Sequence, residues 1–116
     1  AWSYGDEEAE PDFFEEAMQE YCYSFYSIGS DTSREAFRRI SEKLSGIYPS
    51  NPEFVNNIGS YYLLKHDYKT ALKYYNKVLK KHPGDMTAIQ NALLAAKHMK
   101  NAKLEKKYQA MMAKNN

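Results

Sequence analysis

Apolar residues recur at helical spacing along most of the chain. Val55, Ile58 and Tyr62 mark one stripe, and Leu72, Tyr75, Val78 and Leu79 mark the next. Spacings of three and four put such residues on one side of an α-helix, which gives each segment a single face to bury. Upstream, Phe14, Tyr21, Phe25 and Ile28 form a stripe, followed by Phe37, Ile40, Leu44 and Ile47. Downstream lie Ile89, Ala92, Leu93, Ala96 and Met99, then Leu104, Tyr108, Met111 and Met112. The pattern predicts six helices arranged as three pairs.

Polar residues and prolines supply the punctuation. Pro11-Asp12 with Glu15 reads as the capped start of the first helix, and Gly29 to Ser33 as its end. Thr32 with Glu35 has the spacing of a capping box for the second helix. Asn51 is placed to accept from the free backbone amides of the third, while Pro52, which has no N–H, suits its first position. Asp67 does the same for the fourth helix, which Pro83-Gly84 stops. The fifth helix follows Asp85, and Asn101 is the expected cap of the sixth.

Within the middle pair, Val55, Ile58, Gly59, Tyr62, Ala71, Tyr75 and Pro83 all fall between Pro52 and Asp85. The length of that unit equals the period of the tetratricopeptide repeat, about 34 residues. The segment resembles the tetratricopeptide (TPR) family, and Gly59 and Ala71 are small enough to let two helices approach closely where they face each other. The outer pairs match less well: Leu93 stands where the middle pair has Gly59, and Glu105 where it has Ala71. Terminal units of repeat arrays are commonly atypical because one side faces water. The resemblance implies an all-α, right-handed superhelix of about three helix-turn-helix pairs, with units at 12–51, 52–85 and 86–116. An acidic, flexible segment over 1–11 would precede them.

The resemblance also implies a function. In this family the first helix of each pair lines a concave groove that holds a peptide or partner protein, so a non-catalytic interaction scaffold is expected. Carried onto this chain, the groove residues are Asn56, Asn57, Ser60 and Leu63 in the middle unit and Gln90, Leu94 and Lys97 in the third. Asn57 matches the asparagine with which chaperone-adaptor members clamp an acidic peptide terminus. The rest of that clamp does not match: Asp12 to Ile28 contains no base, and Thr87 and Asn91 occupy positions where cations would be needed. A basic or neutral ligand is expected instead.

Charge is unevenly distributed. Residues 1–33 hold nine acids and no lysine or arginine, whereas residues 34–116 hold six acids and all 16 bases. A split of −9 against +10 is hidden in the formal net charge of +1. Such separation can steer a partner or favour head-to-tail contacts, so self-association through charge-complementary ends, as an assembly element of a longer protein, is the alternative reading. Lys65, Lys69, Lys73, Lys77 and Lys81 recur every four residues as a ridge. A solvated face accounts for it, and nucleic-acid binding is not expected because no recognition motif accompanies it.

Other chemistry finds little purchase. The chain has no phosphate-binding glycine loop, no HExxH and no interpretable Ser/His/Asp grouping, so no enzyme activity, metal or cofactor is expected. The lone Cys22 lies among Tyr21, Tyr23 and Phe25 and reads as a packed thiol. No apolar run approaches the roughly 20 residues that span a bilayer. The sequence starts at Ala1 without methionine, from which we expect that a signal peptide, tag or domain once preceded it. A leader would imply export to the periplasm or cell envelope of a bacterial source, and otherwise the cytoplasm is expected.

Overall fold

Short polar breaks divide the chain into helices, as its pattern predicts. A computed structural model describes residues 4–115, with side chains from Phe13 onward. Among these residues the protein is all-helical: α1 (Tyr4–Ile28), α2 (Asp31–Ile47), α3 (Pro52–Leu64), α4 (Tyr68–Lys81), α5 (Met86–His98) and α6 (Ala102–Lys114). Each helix packs on the next, and α3 also touches α5. No described helix is long and apolar enough to cross a membrane.

The caps recur at the repeat period. Asn51 accepts from the Glu53 amide at 2.9 Å, and Asp85, one period onward, from the Ala88 amide at 2.9 Å. Asp67 and Asn101 cap α4 and α6 at the same interval, accepting from Thr70 and Leu104. The intervening turns repeat too. His66 (φ 62°) and Lys100 (φ 55°) both adopt the left-handed conformation. The next residue then donates back to the helix end, Asp67 to the Tyr62 carbonyl at 2.9 Å and Asn101 to the Ala96 carbonyl at 3.1 Å. These bonds satisfy carbonyls that a helix terminus leaves free. The second and third pairs therefore share their backbone turns, although Leu93 and Glu105 depart from the middle unit's pattern.

Two boundaries differ from expectation. Helix α1 is already formed at Tyr4, so residues 4–11, expected as a flexible segment, belong to it; residues 1–3 lie outside the described residues. Helix α2 is capped by Ser30, whose hydroxyl accepts from the Ser33 amide at 3.1 Å, so Thr32 lies inside the helix. Glu35 does not close a capping box. Its carboxylate instead takes bonds from Arg38 and from the Tyr61 hydroxyl, which ties α2 to α3.

The core falls into two clusters. Cys22, Phe37, Leu44, Phe54 and Tyr61 bury the first end, and Tyr75, Val78, Ile89, Tyr108 and the alanines of α4 and α5 fill the second. Burial pushes the Cys22 thiol pKa up, partly offset by its bond with Ser41, in keeping with a packed thiol. The close approach expected between Gly59 and Ala71 is made differently. A Cβ at Gly59 would lie 2.7 Å from Cε1 of Tyr75, so the tyrosine ring occupies the place of the glycine's missing side chain. Ala71 is also fully buried. In the third pair, Ala88, Ala92, Ala95 and Ala96, all with no exposed surface, give α5 its slender profile.

Gly59→Ala should destabilise the fold by about 1–3 kcal/mol, because the buried Tyr75 ring has nowhere to retreat. Gly46→Ala is the control: nothing lies within 4 Å of its added Cβ, and a helical glycine so replaced should gain about 0.5–1 kcal/mol. Urea midpoints of the two variants should move in opposite directions. Equal midpoints would contradict the packing at Gly59.

Candidate partner-binding groove

Helices α1, α3 and α5 line one continuous groove. Its first half is a cavity of about 760 Å³ lined by residues from Glu15 to Tyr23, from Ser50 to Ser60 and from Asp85 to Asn91. The second half, about 580 Å³, is lined by Tyr23, Tyr26, Leu63, Tyr68, Leu94 and His98 among others. Tyr23, Ser60 and Asn91 line both.

The lining residues fall into rungs whose members are one repeat period apart. Gln19, Glu53 and Thr87 form one rung, and Tyr23, Asn57 and Asn91 the next. Tyr26, Ser60 and Leu94 form a third, and Leu64 and His98 a fourth. Along each helix the steps are four and three residues, the spacing of one helical face. Three helices thus present equivalent positions to one surface.

This register sorts the expected site residues. Asn56, Asn57, Ser60, Leu63 and Leu94 line the groove, but Gln90 and Lys97 do not. Those two are exposed and lie one residue away from Asn91 and His98, which take their places. A one-residue step turns a helical side chain by about 100°, enough to leave the groove. The rungs expose the missed signal: Glu53, Asn57, Ser60 and Leu64, each moved on by one repeat period, give Thr87, Asn91, Leu94 and His98. Helix α1 was expected to line the groove as the first helix of its pair, but none of its residues was nominated; Glu15, Glu16, Gln19, Tyr23 and Tyr26 supply its lining.

Several lining groups are already engaged. Asn57, 2% exposed, does not present the free amide that the family resemblance implied. It exchanges two bonds with the Gln19 amide, at 2.7 and 3.0 Å, and donates to Ser41 at 3.2 Å. Asn51 donates to Glu15 at 3.2 Å. These contacts hold α1 against α3. The Ser60 and Tyr75 hydroxyls lie 3.0 Å apart, and burial pushes the Tyr75 pKa up to about 12 despite that bond.

The two halves differ chemically. Glu15, Glu16, Glu53 and Asp85 line the first, and none of its described lining residues is lysine, arginine or histidine. The Glu53 carboxyl is pushed above its ordinary range, first by desolvation and then by Asp85, Glu15 and Glu16. Asn56 donates to Asp85 at 3.2 Å. Its Oδ1 is buried with no donor, and turning the amide over would set oxygen against the carboxylate. The second half is aromatic: the Tyr68 ring stacks on His98 with centroids 5.1 Å apart, and its hydroxyl lies 2.8 Å from His66 Nδ1. The lysine ridge is elsewhere, with Lys69, Lys73, Lys77 and Lys81 exposed along α4.

No family model matches the chain, and a search of the curated proteins finds no match to it.

Because the folded protein holds the Glu53 proton more tightly than an unfolded chain would, its ionisation opposes folding. Stability is then lost as pH rises through the carboxylate range and stays lower at neutral pH. Glu53→Gln should therefore raise the thermal midpoint at neutral pH and give no gain at about pH 3, below the ordinary glutamate value of about 4.3. A lowered midpoint at neutral pH would mean that Glu53 is stabilised by the α3 terminus rather than strained by its neighbours.

Proposed function

We propose that this chain is a non-catalytic interaction module of the tetratricopeptide type, binding an extended segment of a partner protein along the groove of α1, α3 and α5. The observation that carries this reading is the register of the rungs. Equivalent positions one repeat period apart line one channel on three helices, which is how a stacked repeat builds a binding surface from short units. Thr87 and Asn91 offer a hydroxyl and an amide suited to hydrogen bonds with a peptide backbone. Leu63 and Leu94 add apolar contact.

Selection of randomised peptides on the immobilised chain tests this. Peptides should be enriched whose binding weakens by about 0.5–1.5 kcal/mol in Asn91→Ala, the worth of one hydrogen bond. A Lys69→Gln/Lys73→Gln variant should retain them. Binding lost in the ridge variant but kept in Asn91→Ala would move the site to α4.

A second reading, self-association, is favoured by exposed apolar side chains on α1, where Phe13 is 66% and Ile28 68% exposed. With the charge split it supports head-to-tail assembly. Light scattering should then report an apparent mass that falls as salt rises, since screening shortens the reach of exposed charges. A constant monomer mass at every salt concentration would exclude it.

A further inference from the structure

The two halves of the groove demand different things of one occupant. In the first, four carboxylates lie without a cation among the described lining residues, yet no group of three or more His, Cys, Asp or Glu among the described residues could hold a metal ion. Carboxylates spread in this way suit a long, flexible cation with several donors. The Asn56 amide points independently to a ligand. It is 5% exposed and lines this half, its nitrogen is committed to Asp85, and its oxygen has no donor. A buried acceptor left without a donor is costly, and an N–H brought to it by a ligand would supply the missing bond. The opposite half supplies a wall of Tyr26, Leu63, Tyr68 and Leu94, which suits an apolar or aromatic side chain.

From this charge and polarity complementarity we infer that the groove recognises a bipartite segment, with a lysine or arginine held among Glu16, Glu53 and Asp85 and an apolar residue seated against Tyr26, Tyr68 and Leu94. The inference rests on the peptide-groove reading above and adds the class of ligand to it. The geometry also sets the spacing. From Glu53 the α3 axis advances about 10 Å to Ser60, in the rung of Tyr26 and Leu94, and about 16 Å to Leu64, in the rung of the His98 that stacks on Tyr68, at roughly 1.5 Å per residue; an extended peptide covers these spans in about three to five residues. The basic anchor sits at the end where α3 and α5 begin, and the apolar anchor at the end where they finish.

The same selection of randomised peptides decides the matter by the composition of what it enriches. Enriched peptides should pair a lysine or arginine with a leucine, phenylalanine or similar residue about three to five positions away. Synthetic copies with the base changed to glutamate should bind at least about tenfold more weakly, the loss expected for one charge-assisted hydrogen bond. Glu16→Gln/Glu53→Gln should weaken the basic peptide by a similar factor without weakening its glutamate copy, and Leu94→Ser should weaken both peptides. Circular dichroism of each variant confirms that it is folded. Enrichment of uncharged or acidic peptides that still depend on Asn91 would overturn the bipartite ligand and leave the peptide groove standing. If nothing is enriched by the folded chain, both fall. A salt-sensitive dimer abolished by Glu53→Lys would place a second copy in the groove and overturn the peptide assignment.

Discussion

The contact between Gly59 and the Tyr75 ring fixes the middle of this protein. The ring lies where a side chain at residue 59 would be, and it has no exposed surface. A side chain at residue 59 would push α3 and α4 apart or displace the ring, for which a close-packed core leaves no spare room. The consequence reaches the groove through the neighbouring residue. Ser60 lies at the junction of the two halves, with its hydroxyl 3.0 Å from that of Tyr75. One aromatic side chain thus closes the core and sets a residue of the candidate binding surface. With its pKa at about 12, Tyr75 remains protonated and able to donate at any physiological pH.

Helix α1 is held to α3 by a different kind of interaction. The Gln19 and Asn57 amides satisfy each other, Ser41 accepts from Asn57, and Asn51 donates to Glu15. Paired in this way, the buried Asn57 and half-buried Gln19 amides specify orientation, because another placement would strand a donor or acceptor of Asn57 at a cost of about 1–3 kcal/mol. They also consume part of the polar lining. What is left to meet a ligand is the carboxylate rim, the Asn56 oxygen, Thr87 and Asn91. The proposed specificity for a basic segment follows from that remainder.

Much of the helical plan could be read in the sequence because each cap is a local event. Asn51, Asp67, Asp85 and Asn101 each bond an amide two or three residues onward, so their roles follow from adjacent residues. Thr32 misled because Ser30 competes for the same amide region and lies beside Gly29, whose positive φ of 80° ends α1. Gln90 and Lys97 misled because helical periodicity alone does not say which side of α5 faces its neighbours. That choice is made by the alanines that α5 buries in the core. The part of Asn57 was invisible for a related reason: its partner Gln19 lies 38 residues away, and no local pattern pairs them. Gly59 was legible as a close approach, but its partner was not, since only the fold decides whether Ala71 or Tyr75 meets it.

The central claim is that positions one repeat period apart on α1, α3 and α5 act as one binding surface. Amide chemical-shift mapping on the isotopically labelled chain, titrated with a selected peptide, addresses it most directly. The account predicts shifts that follow the rungs, with Gln19, Glu53 and Thr87 moving together and Tyr23, Asn57 and Asn91 moving with them. Shifts confined to the lysine face of α4 or to α6, with the rungs unmoved, would contradict it.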